Sequence, residues 1–141
     1  MTLNLEQIKE IIPHRDPFLL IDEIIECEPG KRVVALKQIK EDDFWFKGHF
    51  PGQPVVPGVL MLEMLAQAGA CAMLMLPENK GKIGFFGGVE RAKFRRVVVP
   101  GDLLRLEVDI VKMRGPVGFG SGLASVDGVK AVSAEISFAL K

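Results

Sequence analysis

Two cysteines, two histidines and one tryptophan among 141 residues narrow the possible chemistry before any motif is read. Cys27 and Cys71 have no CxxC spacing and no histidine pair beside them. They read as reduced, buried thiols of a reducing compartment, not as a disulfide framework or a redox motif. His14 and His49 are far apart in sequence, and two histidines without a cysteine cluster do not make a metal site. Formal net charge is zero, which removes bulk attraction to nucleic acid or to an anionic membrane. It also leaves no electrostatic objection to oligomerisation. The glycines at 84, 87 and 88, and those from Gly115 to Gly122, do not form a GxGxxG run that opens a helix, so no nucleotide site is expected. They fit bulges or close backbone approach in a bent sheet. The first ten residues lack an apolar core and carry early acids, against a signal or transit peptide; a cytoplasmic protein is expected.

One segment is apolar over a length that could cross a bilayer, Gly58 to Leu76. Glu63 and Gln67 interrupt it, no Lys/Arg flank follows closely on either side, and neighbouring segments alternate like soluble strands. A helix apolar all round is also what the central helix of a domain looks like. The spacing of Leu5, Ile8, Ile11 and Ile12 predicts a short amphipathic helix, capped by Asn4 and stopped by Pro13. Phe18 to Ile25 and Arg32 to Ile39 read as a hairpin around Pro29-Gly30. The central helix is expected from about Val59 to Leu76. Four further strands are expected at Ile83–Phe94, Leu103–Met113, Val117–Val126 and Val129–Leu140, the last pair joined by a tight Asp127-Gly128 turn. The pattern gives one α+β domain over residues 1–141, an antiparallel sheet curved around one long helix.

The chemistry concentrates between Lys47 and Gln67. His49 lies in a loop with Pro51, Pro54 and Pro57 and glycines at 48, 52 and 58, so it has few accessible positions. Pro51 also restricts Phe50. Glu63 sits among Val59, Leu60, Met61, Leu62, Met64 and Leu65, where an ionised carboxylate is costly unless paired. Apolar surroundings favour the protonated form and suit a general acid. Gln67, four residues on, shares its helix face and can orient it. Pro57-Gly58 opens the helix, whose free N–H groups favour developing negative charge. Base, acid and backbone oxyanion donors in one stretch point to proton abstraction beside a carbonyl and loss of a protonated hydroxyl, a β-elimination of water.

Several linked motifs then resemble one family. They are Pro13-His-Arg-Asp-Pro-Phe-Leu-Leu-Ile-Asp22, Gly48-His-Phe-Pro51, Pro54-Val-Val-Pro-Gly-Val-Leu60, Glu63 to Gln67 with Ala-Gln-Ala-Gly, Lys93-Phe-Arg-Arg96 and Val99-Pro-Gly-Asp102. In this order they resemble the (3R)-hydroxyacyl-[acyl carrier protein] dehydratases of type II fatty acid synthesis, the FabZ family, over nearly the whole chain. The resemblance implies a hotdog fold and a cofactor-free hydro-lyase. It implies a homodimer, often assembled as a trimer of dimers, with His49 from one subunit meeting Glu63 of the other and the Gly58 amide on the thioester carbonyl. The implied partner is an acyl carrier protein bearing a phosphopantetheine-linked acyl chain. Glu63, where the related dehydratase-isomerases carry Asp, favours the plain dehydratase. The chain departs from the family in having no tyrosine. Asp16 and Phe85 stand where tyrosines are usual, and Gly118-Phe119-Gly120 lies where a tryptophan is common.

The remaining residues leave alternatives open. Phe50, Val59, Gln67, Phe85 and Phe86 are expected to line an acyl tunnel, and core packing explains the phenylalanines equally well. Arg91, Lys93, Arg95 and Arg96 are either a solvated strand face or a docking patch for the acidic carrier protein. His14 reads as a structural turn residue. A thioesterase of the same fold and a non-catalytic acyl-binding module are the competing functions; the presence of both His49 and Glu63 argues against the second.

Overall fold

A helix with no polar stripe needs apolar cover on every side. The computed structural model of the chain describes residues 1–141 and covers that helix with a single curved sheet. The chain begins with α1, Leu5–Lys9, started by a reciprocal capping box. The Asn4 side chain accepts from the Gln7 amide at 2.9 Å, and the Gln7 side chain accepts from the Asn4 amide at 2.8 Å. β1 (Glu23–Glu28) and β2 (Arg32–Gln38) form the expected hairpin around Gly30. A 3-10 turn, Phe44–Lys47, precedes the proline-rich loop, and α2 runs Gly58–Leu74. After a short 3-10 turn at Pro77–Asn79 come β3 (Gly84–Phe94), β4 (Leu103–Arg114), β5 (Val117–Val126) and β6 (Val129–Leu140). The six strands pair antiparallel throughout, in the order β1-β2-β4-β5-β6-β3.

The C-terminal strands fall within a residue of the positions expected from the sequence, and Asp127-Gly128 makes the tight turn between β5 and β6. Both turn residues have positive φ, 49° and 80°, the backbone that a two-residue hairpin requires and that Asp-Gly supplies at low cost. Two expectations need correction. The first strand starts at Glu23, not Phe18. Phe18 and Leu20 give their backbone groups to a side chain of α2 instead of a strand, as described below. α2 also ends at Leu74, two residues early, where Met75 caps it and Pro77 enters a new turn. No helix is long and apolar enough to cross a membrane.

α2 packs closely because β5 is bare on its inner face. Glycines alternate at 118, 120 and 122, so three successive inward positions carry no side chain. A Cβ at Gly122 would stand 3.1 Å from Leu65 Cδ1 on α2, and one at Gly120 would stand 3.1 Å from Val108 Cγ1 of β4. At Gly118 it would strike the Phe138 ring at 2.6 Å. These residues are therefore close-approach glycines. Flanking them, Leu104, Leu106, Val108, Ile136 and Phe138 supply the sheet's share of the core. On the outer face Arg32 straps three strands, donating to Glu26 at 2.7 Å, Glu107 at 2.9 Å and Asp109 at 2.9 Å.

A branched side chain at Gly122 would have to displace Leu65. Gly122→Val is expected to lower folding stability by about 1–3 kcal/mol, the usual range for overpacking. Val at the neighbouring outward position, Ser121→Val, is expected to change it by less than about 0.5 kcal/mol. Urea unfolding of the two variants checks this: only the first should shift the midpoint, and equal shifts would refute the packing account.

Candidate active site

The loop that carries His49 is anchored before it is shaped. Trp45 and Phe46 of the 3-10 turn are buried in the core. The His49 amide donates back to Trp45 O at 3.1 Å, and the Val55 amide donates to His49 O at 3.1 Å. Phe50 and Gln53 exchange backbone bonds, and the Val56 amide reaches Val98 O at 2.8 Å. The imidazole then has a defined state. Its Nδ1 lies 2.9 Å from Val55 O, and a carbonyl can only accept, so Nδ1 carries the proton. In the neutral form of the ring the lone pair is then on Nε2. The Phe50 ring stacks on the imidazole at 4.0 Å between centroids.

Glu63 lies on the second turn of α2, with its side chain one-fifth exposed. Gln67 is 1% exposed and uses its whole amide. Its Oε1 accepts from the Leu20 amide at 2.9 Å; its Nε2 donates to Phe18 O at 2.9 Å and to Glu63 Oε2 at 3.0 Å. The Leu20 N–H can only donate, which settles which end of the amide faces which partner. His14 is the residue whose role the sequence concealed. Its Nε2 lies 3.6 Å from Glu63 Oε2, so it is a neighbour of the carboxylate as well as a turn residue. Burial lowers the His14 pKa below the ordinary histidine value; the Glu63 charge opposes that and Arg15 adds to it. His14, Glu63, Gln67, Phe85, Phe86 and Phe138 border one small cavity of about 50 Å³. Nothing in the local sequence around His14 signals this contact, which joins positions 49 residues apart.

At the start of α2, Pro57 is the cap and offers no side-chain hydrogen bond. The Leu60 amide turns back to Pro57 O at 3.0 Å, while the Gly58 and Val59 amides have no acceptor in the chain. A Cβ on Gly58 would meet the Phe94 ring at 2.6 Å, so glycine here lets β3 close over the helix start. Gly58, Val59, Met61, Phe94 and Val97 line an open groove of about 510 Å³ at this point.

The basic residues separate. β3 carries a bulge between Glu90 and Lys93, with Arg91 in left-handed backbone at φ 52°, so strict alternation fails there. Arg91, Lys93 and Arg95 nevertheless border one shallow depression with Ser121 and Ser133. Arg91 pairs with Glu135 across the strands. Arg96 turns inward, donating to Val126 O at 3.1 Å. His49 and Glu63 are not brought together within the chain: the His49 ring is held by Val55, and the partners of Glu63 are Gln67 and His14.

The chain matches the FabA-like domain family over residues 12–135. It is 58% identical over 140 residues to the 3-hydroxyacyl-[acyl-carrier-protein] dehydratase FabZ of Clostridium novyi, covering 99% of each chain. It is 55% identical over 139 residues to the FabZ of Oceanobacillus iheyensis, again covering 99% of each. Among solved structures it superposes on a chain of the dehydratase heterocomplex ApeI:P from Xenorhabdus doucetiae with a TM-score of 0.82. That match covers 95% of this chain and 90% of the other at 17% identity, so it speaks for the hotdog fold alone. With the family matched from Ile12 to Glu135 and more than half of all positions shared with full-length relatives, the chain belongs to the FabA-like domain family and, within it, to the FabZ 3-hydroxyacyl-[acyl-carrier-protein] dehydratases.

Proposed function

We propose that this protein is a cofactor-free hydro-lyase of fatty acid synthesis, which removes water from (3R)-3-hydroxyacyl-[acyl carrier protein] and leaves the trans-2-enoyl thioester. It would act in the cytoplasm as a homodimer that assembles further into a trimer of dimers. The observation that carries this reading is the state of His49. Its Nδ1 is occupied by Val55 O, which leaves Nε2 as a bare, positioned base.

In this mechanism Nε2 of His49 takes a proton from C2 of the hydroxyacyl thioester. The electron pair moves toward the carbonyl, and the developing negative charge on its oxygen meets the unpartnered Gly58 amide at the start of α2. Such a preorganised donor is worth roughly 10²–10³ in rate. The C3–O bond breaks as Glu63 gives its proton to the hydroxyl, and water leaves. His49 ends protonated and Glu63 ionised; transfer of one proton between them through solvent restores both. Phe50, Val59, Gln67, Phe85 and Phe86 border the acyl path.

Glu63 is supplied by a second copy. β3 is an edge strand with an open hydrogen-bonding side, and Phe85, Phe86, Val89 and Phe94 along it are exposed. A long apolar edge of this kind invites pairing with another chain. Pairing β3 to β3 about a two-fold axis makes one continuous sheet and sets His49 of one subunit against Glu63 of the partner subunit. The depression bordered by Arg91, Lys93 and Arg95 receives the acidic carrier protein, while Arg96 lines the neighbouring groove at the start of α2.

His49→Ala and Glu63→Gln are each expected to reduce kcat by about 10²-fold or more while leaving the thermal midpoint in place. Enoyl absorbance is the readout, and near-normal turnover by either variant would sink the mechanism. Mixing the two inactive variants should regain activity, because a mixed dimer holds one intact site; no recovery after demonstrated subunit exchange would refute a shared site. Charge reversal at Lys93 and Arg95 together should raise KM for a carrier-protein substrate and flatten its salt dependence. Turnover of a short acyl thioester without the carrier should be unchanged. Equal effects on both substrates would exclude the patch as a docking surface.

A further inference from the structure

We infer that His14 is a positioning residue for the dehydration: with Gln67 it turns an N–H group toward one oxygen of Glu63, so that the acid holds and delivers its proton from the other, Oε1. The inference rests on the functional reading above and adds to it a residue, a tautomer and an atom.

The turn that bears His14 is fixed from two directions. Arg15 folds back on it, donating from Nη1 to Ile12 O at 3.0 Å and His14 O at 2.7 Å, and from Nη2 to Lys9 O at 2.9 Å. On the other side Gln67 holds Phe18 and Leu20. The imidazole therefore has a set direction, toward α2, and its Nε2 comes to 3.6 Å from Glu63 Oε2. That separation is longer than a hydrogen bond, so His14 acts on the carboxyl through its N–H dipole and not through a full bond. Both side chains are about one-fifth exposed, and the cavity they share is walled by Phe85, Phe86 and Phe138. Little water is available there to screen the interaction.

The tautomer follows from the other nitrogen. His14 Nδ1 is buried and has no partner. A proton on Nδ1 would be a buried donor without an acceptor, and would aim the Nε2 lone pair at a carboxylate oxygen. A proton on Nε2 leaves only an unfilled acceptor at Nδ1 and turns an N–H toward Glu63, which is the less costly arrangement. Within the chain, the charged groups acting on the ring are Glu63 and Arg15; the other cavity walls are Ala66, Gln67, Ala70, Gly84 and phenylalanines. Burial favours the neutral ring. Gln67 Nε2–H already meets the same Oε2 at 3.0 Å. Oε2 thus faces two N–H groups, and a proton placed on it would meet both. Oε1 is the oxygen left to be protonated and to face the leaving hydroxyl.

Packing alone would need no nitrogen at this point, and substitutions separate the two roles. Gln places an amide N–H near the position of Nε2 and does not titrate; Asn places it near Nδ1; Ala removes both. In steady-state dehydration of a 3-hydroxyacyl thioester, His14→Ala is expected to lose roughly tenfold in kcat with KM within about twofold. His14→Gln should recover most of that loss, and His14→Asn should follow Ala. Nitrogen-15 NMR of the wild-type imidazole should show Nε2 protonated and Nδ1 bare. Full kcat in His14→Ala, equal recovery by Asn and Gln, or a ring protonated at Nδ1 would each overturn the inference. The Gln–Asn comparison decides the matter even where Ala impairs folding. A wild-type protein that dehydrates no hydroxyacyl thioester overturns the functional reading and this inference together, whereas an active wild type with an unaffected His14→Ala overturns the inference alone.

Discussion

The side-chain amide of Gln67 is one polar group inside a helix otherwise surrounded by hydrocarbon, and the arrangement of the site depends on it. A buried amide left unpaired would be strongly unfavourable, so its surroundings must supply partners of the right kind in the right places. They come from two directions: the backbone of Phe18 and Leu20, and the carboxylate of Glu63. This one group closes the first segment of the chain against α2 and orients the acid with the same atoms. It also accounts for the position of His14, because the turn before Phe18 can lie in only one place once Phe18 and Leu20 are tied down. An apolar residue at 67 would leave the Leu20 N–H and the Phe18 C=O without these partners and release Glu63 at the same time.

The second constraint is distance. α2 can present Glu63 and an open N-terminus only if it lies against the sheet without being swallowed by it. Gly122 of β5 brings the sheet backbone up to the helix at Leu65, while Gly118 and Gly120 make room for Phe138 and Val108 of the neighbouring strands. Gly58 lets the Phe94 ring of β3 close over the helix start. The Gly58 and Val59 amides remain free because Pro57, the cap residue, makes no side-chain capping bond. A Ser or Asp at that cap would stabilise the helix in the ordinary way by accepting from the Val59 or Leu60 amide, and would place a side-chain oxygen beside the Gly58 amide that the proposed reaction uses for charge.

Much of this was legible in the sequence. Turn signals bounded β3 to β6, alternation marked β4 and β6, and Asp127-Gly128 fixed one hairpin, because strand periodicity and tight-turn chemistry are local. The proline-glycine loop around His49 and the isolated Glu63 on an apolar helix stood out for the same reason. Phe18 to Leu20 has the composition of a strand, but what decides its conformation is a glutamine 47 residues away from Leu20. His14 was undervalued for a related reason, since its partner lies on α2. The glycines of β5 are explained by close approach; their spacing puts the three on one face, and the structure shows that this face is the inner one.

The structure also alters why a dimer would form. From sequence, an ionised Glu63 in hydrocarbon is costly unless paired, and a partner subunit is one source of such a pair. In the folded chain that need is largely met internally: Glu63 is partly exposed, holds a hydrogen bond from Gln67 and faces the His14 ring. The unmet need lies instead on β3. That strand is eleven residues long, has an unpaired edge and carries exposed phenylalanines and a valine. Burial of that apolar surface, with completion of the backbone ladder, is the stronger drive to association. In the proposed dimer the acid is preset within each chain and the base is preset in each loop by Val55 O. Subunit pairing then joins two finished halves without having to build either one, and assembly needs no rearrangement at the catalytic groups.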